Sequence, residues 1–298
     1  MEPDASANRI KRSEAREIIR RLNRMDLDRA DYEEIKKLIG RLISGIPVHV
    51  DKVRNDARLY RGVLHEQRPL DRSLLSYPPA STVTNFQRCN PPNRSMFYCS
   101  PTPAAAFYEL DVHPGDRIYL SKWSISREFL LQKISRSEDE DLSPPTDSIF
   151  TYFETKFSQP IHDTYSSQYK ITAAITEVLT LGKIEVPDGS MALGGLLYPS
   201  VAHPGRPENL AIRPDVVDRC LNLDYVEEIQ ITDRKEDANQ TITYNRIDVS
   251  SDFSNGEIRW SGRPLHWNAG PGPALITFTN EPDGWIARDA RGNIINPG

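Results

Sequence analysis

Four residues between Arg58 and Glu109, and one much later, carry the side chains best suited to chemistry. Arg61 follows Leu59 and Tyr60 in RLYRGVL. Arg88 lies in NFQRCNPPNR, Tyr98 in SMFYCS, Glu109 at the end of PAAAFYE, and Ser200 closes GGLLYPS. Guanidinium groups donate paired hydrogen bonds to anionic oxygens such as those of phosphate. An aromatic face attracts a cation. A carboxylate stabilises the positive charge that builds on a sugar as its glycosidic bond breaks. Ser200 is read as an orienting hydroxyl and not a nucleophile, because no G-x-S-x-G frames it and no His and Asp partner is assigned to it.

These groups need elements to position them. Residues 58–64 read as a short apolar strand, with Arg61 inside it. Residues 66–94 are rich in Pro, Ser, Asn and Arg and read as a long loop that carries Arg88. Residues 95–100 form a second strand around Tyr98. Ser100 or Thr102 caps the following helix, Pro103 suits its first turn, and Glu109 lies near its end. Residues 116–125 and 129–134 are strands. The acidic, Pro-containing stretch 136–147 reads as an insertion or lid-like loop. Helices follow near 148–157 and 169–181, with Gly182 closing the second. A strand over 194–201 delivers Ser200, and a short one over 209–212 begins with Asn209. A helix from Pro214 and a strand over 225–232 complete the central region.

Two further regions flank it. Ala15, Ile18, Ile19 and Leu22, then Ile35, Leu38, Ile39 and Leu42, fall at helical spacing and make a helical hairpin. Asp31 and Glu34 resemble a capping box at the start of its second helix. The hairpin packs on the next domain or offers a surface to a partner protein or a second copy. Its arginines read as a solvated face. After Asp233 helical spacing vanishes. Strands are expected over 241–249, 257–260 and 275–279, and Ala290-Arg291-Gly292-Asn293 is a hairpin signal. The division is 1–50 helical hairpin, 51–232 main domain and 233–298 β-rich extension.

Composition narrows the function. The chain has 298 residues and a net charge of −5, so it has no overall electrostatic footprint for nucleic acid. Three cysteines without a C-x-x-C motif argue against a disulfide framework or zinc site. The first residues lack the apolar core of a signal peptide, and no apolar run is long enough to span a membrane. The expectation is a soluble protein of a reducing compartment, the cytosol. Neither a phosphate-binding G-x-x-x-x-G-K-[ST] nor a G-x-G-x-x-G motif occurs. Gly270-Pro271-Gly272-Pro273 reads as a turn, and the scattered histidines give no metal motif.

The Y-R-G strand, the R-x-N-P-P loop, the F-Y-x-S strand, the A-x-x-E helix end and the late G-G-L-L-Y-P-S…N-L-A-I segment together resemble the RES domain family over about 55–232. The resemblance implies an α+β fold with a mixed sheet of ADP-ribosyltransferase-like type, flanked by helices. It implies NAD as substrate, with no separate cofactor or metal. Arg61, Glu109 and Ser200 match the family's catalytic Arg, Glu and Ser, and Arg88 and Tyr98 match its substrate-binding Arg and Tyr. On that reading the arginines take the pyrophosphate, Tyr98 stacks on nicotinamide and Glu109 stabilises the ribosyl cation. Tyr60 is a second aromatic candidate, with core filling as its alternative. Asn209 and His203 are further candidates for the pocket wall. The family pattern has Gly-Arg where this chain has Gln87-Arg88, so Arg94 stays open as the phosphate ligand.

The implied activity is cleavage of the nicotinamide–ribose bond by water or phosphate, as a toxin or defence effector. The alternatives are ADP-ribosyl transfer to a protein and a non-catalytic NAD-binding module. Expected partners are NAD and an antitoxin or immunity protein, or a second copy of the chain, with neither nucleic acid nor membrane involved.

Overall fold

The computed structural model describes residues 10–46, 50–135, 142–180, 183–186, 189–201, 208–235, 241–262, 275–281, 284–289 and 291–295. His203, Gly182, the acidic run 136–141 and the Gly-Pro repeat at 270–273 lie outside them. The fold is α+β, with two compact units that interleave along the chain. The first takes Met1–Arg54, Pro78–Tyr98 and Arg127–Cys220. The second takes Asn55–Tyr77, Cys99–Ser126 and Leu221–Gly298. The units therefore cut across sequence divisions at 50/51 and 232/233.

The first unit begins with α1 (Arg12–Arg24) and α2 (Tyr32–Ile43), the expected hairpin. Asp31 caps α2 by accepting from Glu33 N at 3.0 Å. The reciprocal arm of a capping box is replaced, because Glu34 pairs with Arg21 of α1. Ala15, Ile18, Leu22, Ile35, Ile39 and Leu42 are buried in one core with Phe153, Ile171 and Leu179. Those three belong to α4 (Pro144–Phe157) and α5 (Lys170–Thr180). The helix α4 starts earlier than the loop reading of 136–147 allows. Ser143 is its N-cap and Pro144-Pro145 supply fixed φ angles to its first turn, where no N–H donor is needed.

Six strands make this unit's sheet: β1 (Val50–Val53), β3 (Phe97–Cys99), β5 (Phe129–Lys133), β6 (Lys183–Val186), β7 (Gly189–Pro199) and β8 (Glu208–Ile212). Their order is β1-β5-β7-β8-β3, with β6 paired to β7. β5 and β7 run parallel, and the helical connection between them includes α4 and α5. The helix α6 (Pro214–Cys220) follows β8.

The second unit is built on a seven-stranded antiparallel sheet. Its strands are β2 (Arg58–Leu64), β4 (Arg117–Ile125), β9 (Leu221–Lys235), β10 (Thr241–Ser250), β11 (Leu275–Glu281), β12 (Gly284–Arg288) and β13 (Ile294–Ile295). The order is β13-β12-β11-β10-β9-β4-β2. The C-terminal strands thus extend the sheet that β2 and β4 begin. The helix α3 (Pro103–Glu109) is capped by Thr102, whose hydroxyl accepts from Ala105 N at 3.3 Å. Its Phe107 packs edge-on against Tyr244 and Phe278, with ring centroids at 5.3 and 6.1 Å.

The expected strand at 257–260 is absent. Asn255 and Gly256 have φ of 58° and 84°, which turns the chain. Ile258 N then bonds Leu70 O at 2.8 Å and Arg259 N bonds Asp252 O at 3.0 Å, so this segment is an irregular crossing.

Candidate active site

In the second unit, β2 presents Tyr60 and Arg61 to opposite faces, as strand geometry requires. Arg61 is half-buried and pairs across the ladder with Ser121. Ser121 Oγ donates to Arg61 O at 2.9 Å and accepts from Trp123 Nε1 at 2.9 Å. Arg61 Nε donates to Ser76 O at 3.1 Å. The guanidinium is therefore aimed by its own strand and by the chain that follows it. Tyr60 goes the other way. It is 4% exposed, its burial raises the phenol pKa, and it lines a void of about 10 Å³ with Tyr225, Glu227 and Tyr244. Such a space suits about one water molecule. Core filling is the position the structure gives Tyr60. Glu109 is the exposed last residue of α3.

In the first unit, Tyr98 is tied to the arginine loop. Its hydroxyl donates to Asn90 Oδ1 at 2.6 Å and accepts from Cys89 N at 2.9 Å. Asn90 Nδ2 donates to Arg94 O at 2.8 Å, and Gln87 and Asn90 exchange backbone hydrogen bonds. The R-x-N-P-P loop is thus folded around one amide side chain clamped by one phenol. Burial holds the Tyr98 pKa well above that of a free tyrosine, so the phenol stays a donor. Its ring remains half-buried.

Arg88 is also engaged. Its Nη1 donates to Phe157 O at 2.6 Å and to Gln159 O at 3.3 Å, and its guanidinium lies 5.2 Å from the Tyr169 ring centre. It satisfies carbonyls at the C-terminal end of α4, where a cation also complements the helix dipole. Arg94 is exposed, with Glu177 Oε1 4.0 Å away. Phe157 packs against Tyr198 at 5.7 Å, and Tyr198 on β7 pairs directly with Asn209 on β8. A run of contacts therefore joins Arg88 to Asn209. Ser200, just beyond β7, is buried to 1% exposure and Asn209 to 2%.

Two glycines allow this strand pair. Gly195 has φ +153°, and a Cβ there would lie 1.9 Å from Ala211 O of β8. A Cβ on Gly194 would meet Phe129 Cδ2 at 2.7 Å. The Gly-Gly before Leu-Leu-Tyr-Pro-Ser is a packing requirement of β7 between its neighbours.

Sequence reasoning passed over Asn90, Phe157 and Tyr169. Asn90 was visible within R-x-N-P-P, but its tie to Tyr98 was not. It also gave no role to the charged groups within the second unit. Arg246 and Glu227 form an ion pair at 1% and 2% side-chain exposure. Arg68 joins the buried carboxylates of Glu228 and Asp248 and lies 4.7 Å from the Trp260 ring centre. No group of His, Cys, Asp and Glu among the described residues is arranged to hold a metal. No helix among them is long and apolar enough to cross a membrane.

The structure thus shows an α+β protein with a strand-borne arginine, a helix-terminal glutamate, a clamped R-x-N-P-P loop and a buried serine after a Gly-Gly strand. The family model described as RES domain matches residues 58–232, and the chain belongs to the RES domain family. At the family level this domain is associated with NAD-related toxin activity, which makes an NAD-processing enzyme the class indicated. Comparison with curated proteins and with solved structures finds no match.

Proposed function

We propose that the protein cleaves NAD at the bond between nicotinamide and ribose, passing the ADP-ribosyl group to water or phosphate. The observation that carries this reading is the family match over 58–232, which spans Arg61, Arg88, Tyr98, Glu109, Ser200 and Asn209. Glu109 is the group that stabilises charge building on the ribose and orients the incoming nucleophile. An exposed carboxylate at the end of α3 suits that role because substrate reaches it without unfolding. Arg61 supplies a braced guanidinium for the pyrophosphate. Arg94 is the second phosphate ligand in this reading, since Arg88 already serves the end of α4. Tyr98 acts through its ring on nicotinamide and through its hydroxyl on the loop that bears both arginines. Ser200 is too buried for a nucleophile that meets water, and in this reading it orients the ribose by hydrogen bonding. The effect on a cell is NAD depletion, as a toxin or defence effector.

The test is product analysis. Purified protein is incubated with NAD, with and without phosphate, and nicotinamide, ADP-ribose and its phosphorylated form are separated. Release of nicotinamide that Glu109→Gln abolishes supports the reading. NAD that stays intact overturns it, and label found on a macromolecule replaces it with ADP-ribosyl transfer.

A further inference from the structure

A cleft of about 630 Å³ opens within the first unit between α1 and α4. Arg16, Arg20 and Arg24 line one wall, and Asp147 and Tyr152 stand in the other. We infer that this cleft is a docking site for an acidic segment of a partner protein, bound extended with carboxylates at alternate positions.

Spacing is the first support. Residues four apart on a helix rise about 6 Å, so the backbone positions of Arg16, Arg20 and Arg24 repeat at that interval. An extended chain rises about 3.3 Å per residue and returns a side chain to the same face every second residue, about 6.6 Å on. Alternate carboxylates of an extended peptide therefore keep step with all three arginines.

Charge is the second. Two other charged residues of α1 are paired with α2: Glu14 accepts from Arg41 at 2.6 Å, and Arg21 pairs with Glu34. Arg16 and Arg24 meet no carboxylate within pairing distance among the described residues. Arg20 shares the exposed Glu17, and a solvent-exposed pair of that kind exchanges readily for another carboxylate. Three guanidiniums thus face one carboxylate across the cleft, on a chain whose net charge is −5.

The third is the makeup of the facing wall. Tyr152 is 6% exposed with its hydroxyl buried from solvent, so it closes the cleft as part of the core and leaves the contacts of an occupant to the arginines. Nucleic acid fits less well: its bases need exposed aromatic faces, and the one aromatic ring in the cleft is buried.

Fluorescence anisotropy tests this with the full chain and a labelled nine-residue peptide of alternating Glu and Ser. The expected result is saturable binding at low salt that weakens as salt rises. Replacing Glu by Gln in the peptide should abolish it. Arg16→Glu with Arg24→Glu should weaken it by about tenfold or more, since two exposed pairs are lost and repulsion is added. Both residues are exposed, so an unchanged melting curve is expected and shows that the variant folds. Equal binding by the charge-reversed variant, tighter binding of single-stranded DNA of the same length, or no binding by the parent overturns the inference. Tighter peptide binding after Glu138, Asp139, Glu140 and Asp141 are changed to Ser also overturns it, in favour of an occupant from the chain itself.

Discussion

Gly195→Ala should be the most damaging single methyl addition to the first unit. The new Cβ would lie 1.9 Å from Ala211 O, 2.9 Å from Ala211 C and 3.0 Å from Ile212 Cα. A carbon settles about 3.5 Å or more from a non-bonded neighbour, so β7 and β8 must part by more than 1 Å there. That opens the ladder that runs from Gly195↔Ile212 through Tyr198↔Asn209 to Pro199↔Glu208. The backbone conformation itself, at φ +153°, adds about 1–3 kcal/mol for any residue with a Cβ. Two or three ladder hydrogen bonds at about 1 kcal/mol each bring the total to about 3–6 kcal/mol. Each kcal/mol lowers the melting temperature of a unit this size by about 2–4 °C, so a fall of about 6–24 °C is expected. Gly115→Ala is the control. Its φ is +99°, but nothing lies within 4 Å of the added carbon, so only the conformational cost of about 1–2 kcal/mol remains. Thermal unfolding followed by circular dichroism compares the two. A Gly195→Ala protein melting within about 3 °C of the parent, or Gly115→Ala proving equally damaging, would refute the steric reasoning.

Further outcomes follow from the same structure. Arg88→Ala should lower stability by about 2–3 kcal/mol in the absence of NAD, because it removes a charged donor from α4 and a cation from the Tyr169 ring, whereas Arg94→Ala should melt as the parent does. Glu227→Ala should cost about 3–5 kcal/mol by removing the ion-pair partner of the buried Arg246, whose pKa burial already pulls down to about 9; the double change Glu227→Leu with Arg246→Met should recover much of the loss in chemical denaturation. Cys89, Cys99 and Cys220 are buried free thiols, and burial pushes Cys89 up to about 12, so a thiol reagent at pH 8 should label none of them in the native protein and all three in denaturant. Because the folded state holds the Cys89 proton more tightly than the unfolded chain, its contribution to stability is complete below pH 9 and lost as pH rises towards 12; alkaline titration of the melting temperature should fall across that window, less steeply in Cys89→Ser.

Local order was legible in the sequence. The apolar spacing of α1 and α2, the Thr102-Pro103 start of α3 and the strand around Arg61 were visible because capping, fixed φ and periodicity are set by near neighbours. What escaped was long-range. The bond from Arg88 to the last carbonyls of α4, some seventy residues on, has no local signature. Tyr60 and Tyr98 are both tyrosines in short strands, yet one enters the core and the other clamps a loop, a difference set by the strand faces and their packing. The segment at 257–260 has strand-like residues, but Asn255 and Gly256 turn it away from any ladder. The strands after Asp233 read as an appendage because sheet order depends on pairings that a local pattern does not encode; β10 to β13 instead continue the sheet of β2, β4 and β9. Among the candidate site residues, types and order came from motifs, and burial and bonding partners came only with the fold.

The most direct measurement is the rate of nicotinamide release from NAD by the purified parent and by Glu109→Gln, each with its melting curve. The account predicts steady release by the parent and a loss of about 10²-fold or more in kcat/KM for the variant, with little change in melting temperature, because an exposed helix-end amide replaces a carboxylate of the same shape. Intact NAD with the parent, or equal rates for both proteins, would contradict it.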